Sequence, residues 1–119
     1  MKKEKFHIIC TQNNTTSEWN CLGEYDRKKK LVTHKETNKH INTVTIDLNK
    51  KILIEDNIEY RIIFNFEKEE YEILLKEDNS IGNMKIELKR FEYGDSSIDI
   101  EYNMIETKDK FRYRIEIGD

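Results

Sequence analysis

Residues 97–117 read SIDIEYNMIETKDKFRYRIEI, and their pattern decides the fold class. Ile98, Ile100, Tyr102 and Met104 alternate with Asp99, Glu101 and Asn103. After the polar gap Glu106–Asp109, the residues Phe111, Tyr113, Ile115 and Ile117 alternate with Arg112, Arg114 and Glu116. A period of two with one apolar face describes two half-buried strands joined as a hairpin. Placing Ile105 opposite Lys110 pairs Met104 with Phe111, Tyr102 with Tyr113 and Ile100 with Ile115. The polar face then sets Glu101 across from Arg114. Each such cross-strand pair contributes roughly 0.2–1 kcal/mol.

The rest of the chain uses the same alternation. Its 119 residues are the length of one domain, with 36% hydrophobic and 38% charged side chains. A sheet with one wet face needs only every second residue to be apolar, so this polar composition still specifies a fold. Lys and Arg total 21 against 24 Asp and Glu, a net charge of −3. That balance offers no electrostatic footprint for nucleic acid and no basic patch for an anionic membrane. Proline and alanine are absent, while Lys, Ile, Asn and Glu abound. The bias points to an AT-rich bacterial genome, and it shifts propensity toward strand. The N-terminal apolar run is too short for a signal-peptide core, and no run approaches the ~18 apolar residues of a membrane helix. The expectation is a cytoplasmic protein without membrane insertion.

In chain order, Lys5 to Gln12 reads as a strand, then Asn13 to Ser17 as a polar loop. Glu18 to Tyr25 is a second strand, with Trp19, Cys21, Gly23 and Tyr25 in phase. Asp26 to Lys30 is a charged turn, and Leu31 to Glu36 a short or edge strand. Ile41 to Leu48 and Lys51 to Glu55 flank a turn at Asn49-Lys50, where Asn tolerates positive φ. After Asp56-Asn57, Ile58 to Phe66 places Ile58, Tyr60, Ile62, Phe64 and Phe66 on one face. Glu70 to Lys76 and Met84 to Phe91 fit either a strand or a short helix. Strands are favoured, because neither stretch has an N-cap followed by a long periodic run. The phase switch between Leu88 and Phe91 then marks a β-bulge. No repeat, linker or low-complexity segment interrupts the pattern. About ten short strands with regular turn signals describe an all-β barrel or sandwich. Short connections make an up-and-down meander the simplest path.

Motifs for chemistry are sparse. Cys10 and Cys21 can face each other if the loop spans Asn13 to Ser17. They read as packed thiols, with a redox pair or a metal site as alternatives. His7, His34 and His40 show no zinc-ligand spacing and read as surface residues. Ser17, Ser80, Ser96 and Ser97 sit in or near turns, outside any nucleophile elbow. There is no Gly-rich phosphate loop, so no cofactor is expected. Arg90 is in phase with Met84, Ile86 and Leu88. An unbroken strand would point it inward, where it would need an acidic partner or an anionic ligand. A bulge before Phe91 would instead turn it to solvent.

Several segments resemble the YwiB-like family, small bacterial proteins of unknown function. Leu22-Gly23-Glu24-Tyr25 is similar to the family's second-strand glycine segment. Lys35-Glu36-Thr37 with Asn42-Thr43-Val44-Thr45-Ile46 is similar to its Glu-then-Thr-rich strand. Ile81-Gly82-Asn83-Met84-Lys85-Ile86 resembles its glycine followed by an alternating strand, and Ile100-Glu101-Tyr102-Asn103-Met104 its final hairpin. Ile54-Glu55-Asp56-Asn57 departs from the pattern, lacking the family's basic residue and glycine. The resemblance implies a calycin-like barrel related in shape to lipocalins and fatty-acid-binding proteins. It does not carry their ligands over, because fold does not fix function.

The chain therefore reads as one calycin-like antiparallel barrel of about ten strands. Its leading functional expectation is non-enzymatic binding of a small apolar or amphipathic ligand. Tyr60, Tyr102 and Tyr113 would line the site, with Arg90 as anchor for an acidic head group. The alternative is a protein-interaction module or homodimer with a filled barrel. Clustering of Ile9, Leu22, Val32, Ile63 and Leu74 outside the barrel would favour it.

Overall fold

The computed structural model describes residues 2–37 and 41–118. His40 lies outside the described residues. The elements are strands throughout: β1 (Glu4–Gln12), β2 (Thr15–Asp26), β3 (Leu31–Thr37), β4 (Ile41–Asp47), β5 (Ile52–Asp56), β6 (Tyr60–Asn65), β7 (Glu70–Leu75), β8 (Ser80–Tyr93), β9 (Ser97–Met104) and β10 (Lys110–Ile117). Each pairs antiparallel with its sequence neighbours, and β1 pairs with β10 to close the barrel. The fold is an all-β, ten-stranded up-and-down barrel, consistent with a calycin-like architecture. Closure removes sheet edges, so β3 lies between β2 and β4 rather than at an edge.

Alternation sets the inner face as the sequence pattern requires. Phe6, Ile8, Val32, Ile46, Ile86, Ile98, Ile100 and Ile115 are all buried in one core. Glu70–Leu75 and Ser80–Tyr93 are strands, and the register shift between Leu88 and Arg90 is the expected bulge.

Three turns at one end of the barrel repeat a five-residue plan that the sequence reading passed over. Asp26, Asp47 and Asn65 each accept a backbone N–H three residues on with Oδ1, from Lys29 (3.0 Å), Lys50 (3.0 Å) and Lys68 (3.1 Å). The fifth residue of each, Lys30, Lys51 and Glu69, has φ of 57°, 56° and 55°. Its carbonyl accepts the N–H of Leu48, Phe66 and Ile86 respectively. In two of the turns the second residue, Leu48 or Phe66, folds in and is 1% exposed. Arg27 holds that place in the first turn. Its guanidinium instead binds Glu4 twice at 2.9 Å, accepts no room in the core, and reaches the Asp95 carbonyl. This end of the barrel is plugged.

Gly23 is required here by close approach. An added Cβ would lie 2.3 Å from Phe6 Cε2, and Phe6 is itself only 1% exposed.

Several expectations are corrected. In the β9–β10 hairpin Lys110 faces Asn103, so Phe111 meets Tyr102, Tyr113 meets Ile100, and Glu101 meets Arg112. Lys108 at φ 62° closes a longer turn, and the slip of one full pleat keeps every side chain on its expected face. The first hairpin turns tightly at residues 13–14. Cys21 therefore faces Phe6 and Cys10 faces Ser17, so the two thiols are not opposed. Ile58 precedes β6 and is 83% exposed, outside the face it was expected to join.

Candidate functional site

The opposite end is hollow. A cavity of about 510 Å³ opens between the β1–β2 hairpin and the β9–β10 hairpin. It reaches the surface beside the exposed Gln12, Asn13 and Thr15. Val44, Leu53, Phe64 and Ile100 form its apolar depth, and Cys10, Glu55, Tyr102, Phe111 and Tyr113 bring rings and polar atoms to its wall. Its volume falls in the range of small-molecule sites, roughly 300–1,000 Å³.

The aromatic wall is continuous. Tyr102 stacks on Phe111 with centroids 5.3 Å apart and lies 5.4 Å from both Phe64 and Phe66. Below it, a polar strut crosses the interior. His34 of β3 and Tyr113 of β10 share a hydrogen bond through Nε2 and the phenol hydroxyl, and their rings stack. His34 is 2% exposed, and burial lowers its pKa to about 4, so it is neutral at pH 7. The surface reading of His34 is thus overturned: it is in phase with the buried Val32, and β3 has a fully inward face. His7 does lie on the outer wall, where its two ring nitrogens face Asn20 Oδ1 and Glu18 Oε1.

Glu55 is the charged side chain that sequence reasoning missed. It alternates in phase with the buried Leu53, and its strand partners Val44 and Ile62 are inward too. Burial raises its carboxyl pKa above the usual range. The Tyr102 phenol is raised as well, first by burial and then by the charges of Cys10 and Glu55. The strand turns back at Asn57, whose Nδ2 donates to Asn42 Oδ1 at 2.7 Å and whose Oδ1 accepts the N–H groups of Glu59 and Tyr60. That buried pair fixes the end of β5 and so the placement of Glu55.

The expected site residues separate. Tyr102 and Tyr113 border the cavity. Tyr60 is half-buried opposite Leu75 and does not border it. Arg90 faces outward: the bulge turns it to the outer wall, where it reaches Asp99 at 3.4 Å. It cannot anchor a ligand inside the barrel. Arg112 borders the cavity, but Asp99 holds its guanidinium in two hydrogen bonds of 3.0 and 2.7 Å. Among the described residues, no cluster of His, Cys, Asp and Glu has a metal-holding arrangement, and no helix is long and apolar enough to cross a membrane.

The outer residues named as a test do not form one patch. Val32 is 0% exposed and Ile9 6%, whereas Leu22 is 57% exposed. Comparisons with family profiles, curated proteins and solved structures give no match for this chain.

Proposed function

We propose that this protein is a non-enzymatic carrier or sensor that holds one small amphipathic molecule in the open end of its barrel. The observation that carries this reading is the cavity of about 510 Å³, apolar in its depth and polar at its rim. Such a lining excludes water from an apolar body while a few polar groups fix its orientation. The outer wall carries ion pairs such as Arg112–Asp99 and Lys85–Glu70, which suits a protein bathed in water, and we place it in a bacterial cytoplasm. The YwiB-like resemblance agrees with this reading and supplies no ligand.

The test is titration with a neutral, environment-sensitive naphthylamine dye. One dye per barrel should bind with enhanced fluorescence, and Leu53→Trp, which fills the cavity, should abolish the signal while circular dichroism stays native. Absence of dye binding to the parent protein would count against a hollow barrel.

A second reading has its own observation. Ile58, Leu75 and Ile81 are 83%, 46% and 69% exposed on neighbouring elements near the mouth. They fit a homodimer or protein contact, with or without a ligand inside. Sedimentation velocity of the parent and of Ile58→Lys distinguishes a dimer that dissociates from a constant monomer.

A further inference from the structure

The chemistry of the cavity wall narrows the ligand class, and the inference rests on the binding reading above. Among the described residues that line the cavity Glu55 is the acidic one, and neither its carboxylate nor the Tyr102 hydroxyl has a hydrogen-bond partner among the described residues. A carboxylate held half out of water without a partner is unfavourable, and a bound cation removes that penalty. Among the described residues the nearby positive groups are engaged elsewhere: Arg112 is bound to Asp99, Arg90 stands on the outer wall, and His34 is neutral. The rings of Phe64, Tyr102 and Phe111 line the same cavity as Glu55, packed on one another as a continuous aromatic wall. Ring faces carry negative quadrupole charge and attract cations, most strongly where water is excluded. A fatty acid would bring a second negative charge against Glu55, and among the described residues the cation bordering the cavity, Arg112, is already paired with Asp99.

We propose that the cavity selects a protonated amine on an apolar body, with Glu55 as its counter-charge and the Tyr102, Phe64 and Phe111 rings as its cation–π wall. The Tyr102 hydroxyl accepts a second N–H of the ammonium group. The apolar body lies against Val44, Leu53 and Ile100.

The experiment is isothermal titration calorimetry at pH 7 with three ligands of equal chain length, decylammonium, decanol and decanoate, each below its micelle concentration. Decylammonium should bind at least tenfold more tightly than decanol, and decanoate most weakly. In Glu55→Gln the decylammonium advantage should vanish while decanol binding persists, which also shows that the variant is folded. Glu55→Leu serves the same comparison with a purely apolar replacement. A parent protein that binds decanoate best, or decanol as well as decylammonium, overturns the amine assignment and leaves the hollow barrel standing. An advantage that survives in both Glu55 variants overturns it too. If none of the three ligands binds, the amine assignment and the binding function fall together.

Discussion

The two ends of this barrel are made from the same alternating strands and differ in what their turns deliver. At the plugged end, turns 48–51 and 66–69 send Leu48 and Phe66 into the interior, and Arg27 and Tyr25 clamp the remaining gap. Tyr25 donates its hydroxyl hydrogen bond to the Gly94 carbonyl at 2.9 Å. At the hollow end none of the described turn residues lines the depth of the cavity. Asn13 is spent on the wall, taking the N–H of Lys110 with its Oδ1 at 2.9 Å, and Ile58 and Ile105 point to solvent. The packed core and the cavity are thus divided along one axis. A barrel plugged at both ends would bury more, and a barrel open at both ends would lose much of its core.

The largest effect expected from this contrast is a paired truncation. Phe66→Ala removes a ring that is 1% exposed and touches Phe64, Phe91 and Tyr102. It should cost about 3–5 kcal/mol in urea unfolding, whereas Phe111→Ala at the cavity wall should cost roughly 1 kcal/mol, because its loss extends a space that already exists. Equal costs would remove the distinction between the ends.

The strut beneath the cavity gives a pH test. His34 has an unfolded pKa near 6.5 and a folded value of about 4, so its contribution is complete above pH 6.5 and lost as pH falls toward 4. The difference corresponds to about 3 kcal/mol over that window. Glu55 acts in the opposite sense: its raised carboxyl favours the fold at pH below its unfolded value and loses that advantage as pH rises through the folded one. Urea titrations at a series of pH values should show a net acid loss in the parent that His34→Gln greatly reduces. The same loss in the variant would place the acid sensitivity elsewhere.

Gly23→Ala comes next. Its new methyl group meets the Phe6 ring in a packed interior, and a destabilisation of roughly 1–3 kcal/mol is expected from urea midpoints. A neutral result would mean that the plugged end can yield. The smallest effect is a gain. Lys51 adopts φ 56° as the fifth residue of its turn, and Lys51→Gly should stabilise by roughly 0.5–1 kcal/mol, read as a raised thermal midpoint.

The division between the ends was only half visible in the sequence. Strand alternation gave the faces, because Ile98, Ile100, Ile115 and Ile117 could face only one way once a barrel formed. The phase break before Phe91 disclosed the bulge. Register was harder to read, since sliding the Lys110 partner from Ile105 to Asn103 changes no side chain's face. The site was least visible. Arg90 could be read inward or outward, because the bulge position decides its side, and that position depends on pairing with β9. Glu55 was hidden among many carboxylates, although its alternation with Leu53 was a usable signal. His34 sits between Thr33 and Lys35, and only its phase with Val32 hinted at burial. The repeated Asx turns were also legible, as Asp26, Asp47 and Asn65 each precede a basic or acidic fifth residue.

The most direct measurement is methyl-resolved NMR of the full chain, with Ile, Leu and Val methyl groups labelled, during titration with decylammonium. Saturable shifts are expected at Val44, Leu53 and Ile100, with Ile46, Ile98 and Ile115 nearly unmoved. Shifts confined to Ile58, Leu75 and Ile81, or spread evenly through the core, would contradict a barrel that is hollow at one end and solid at the other.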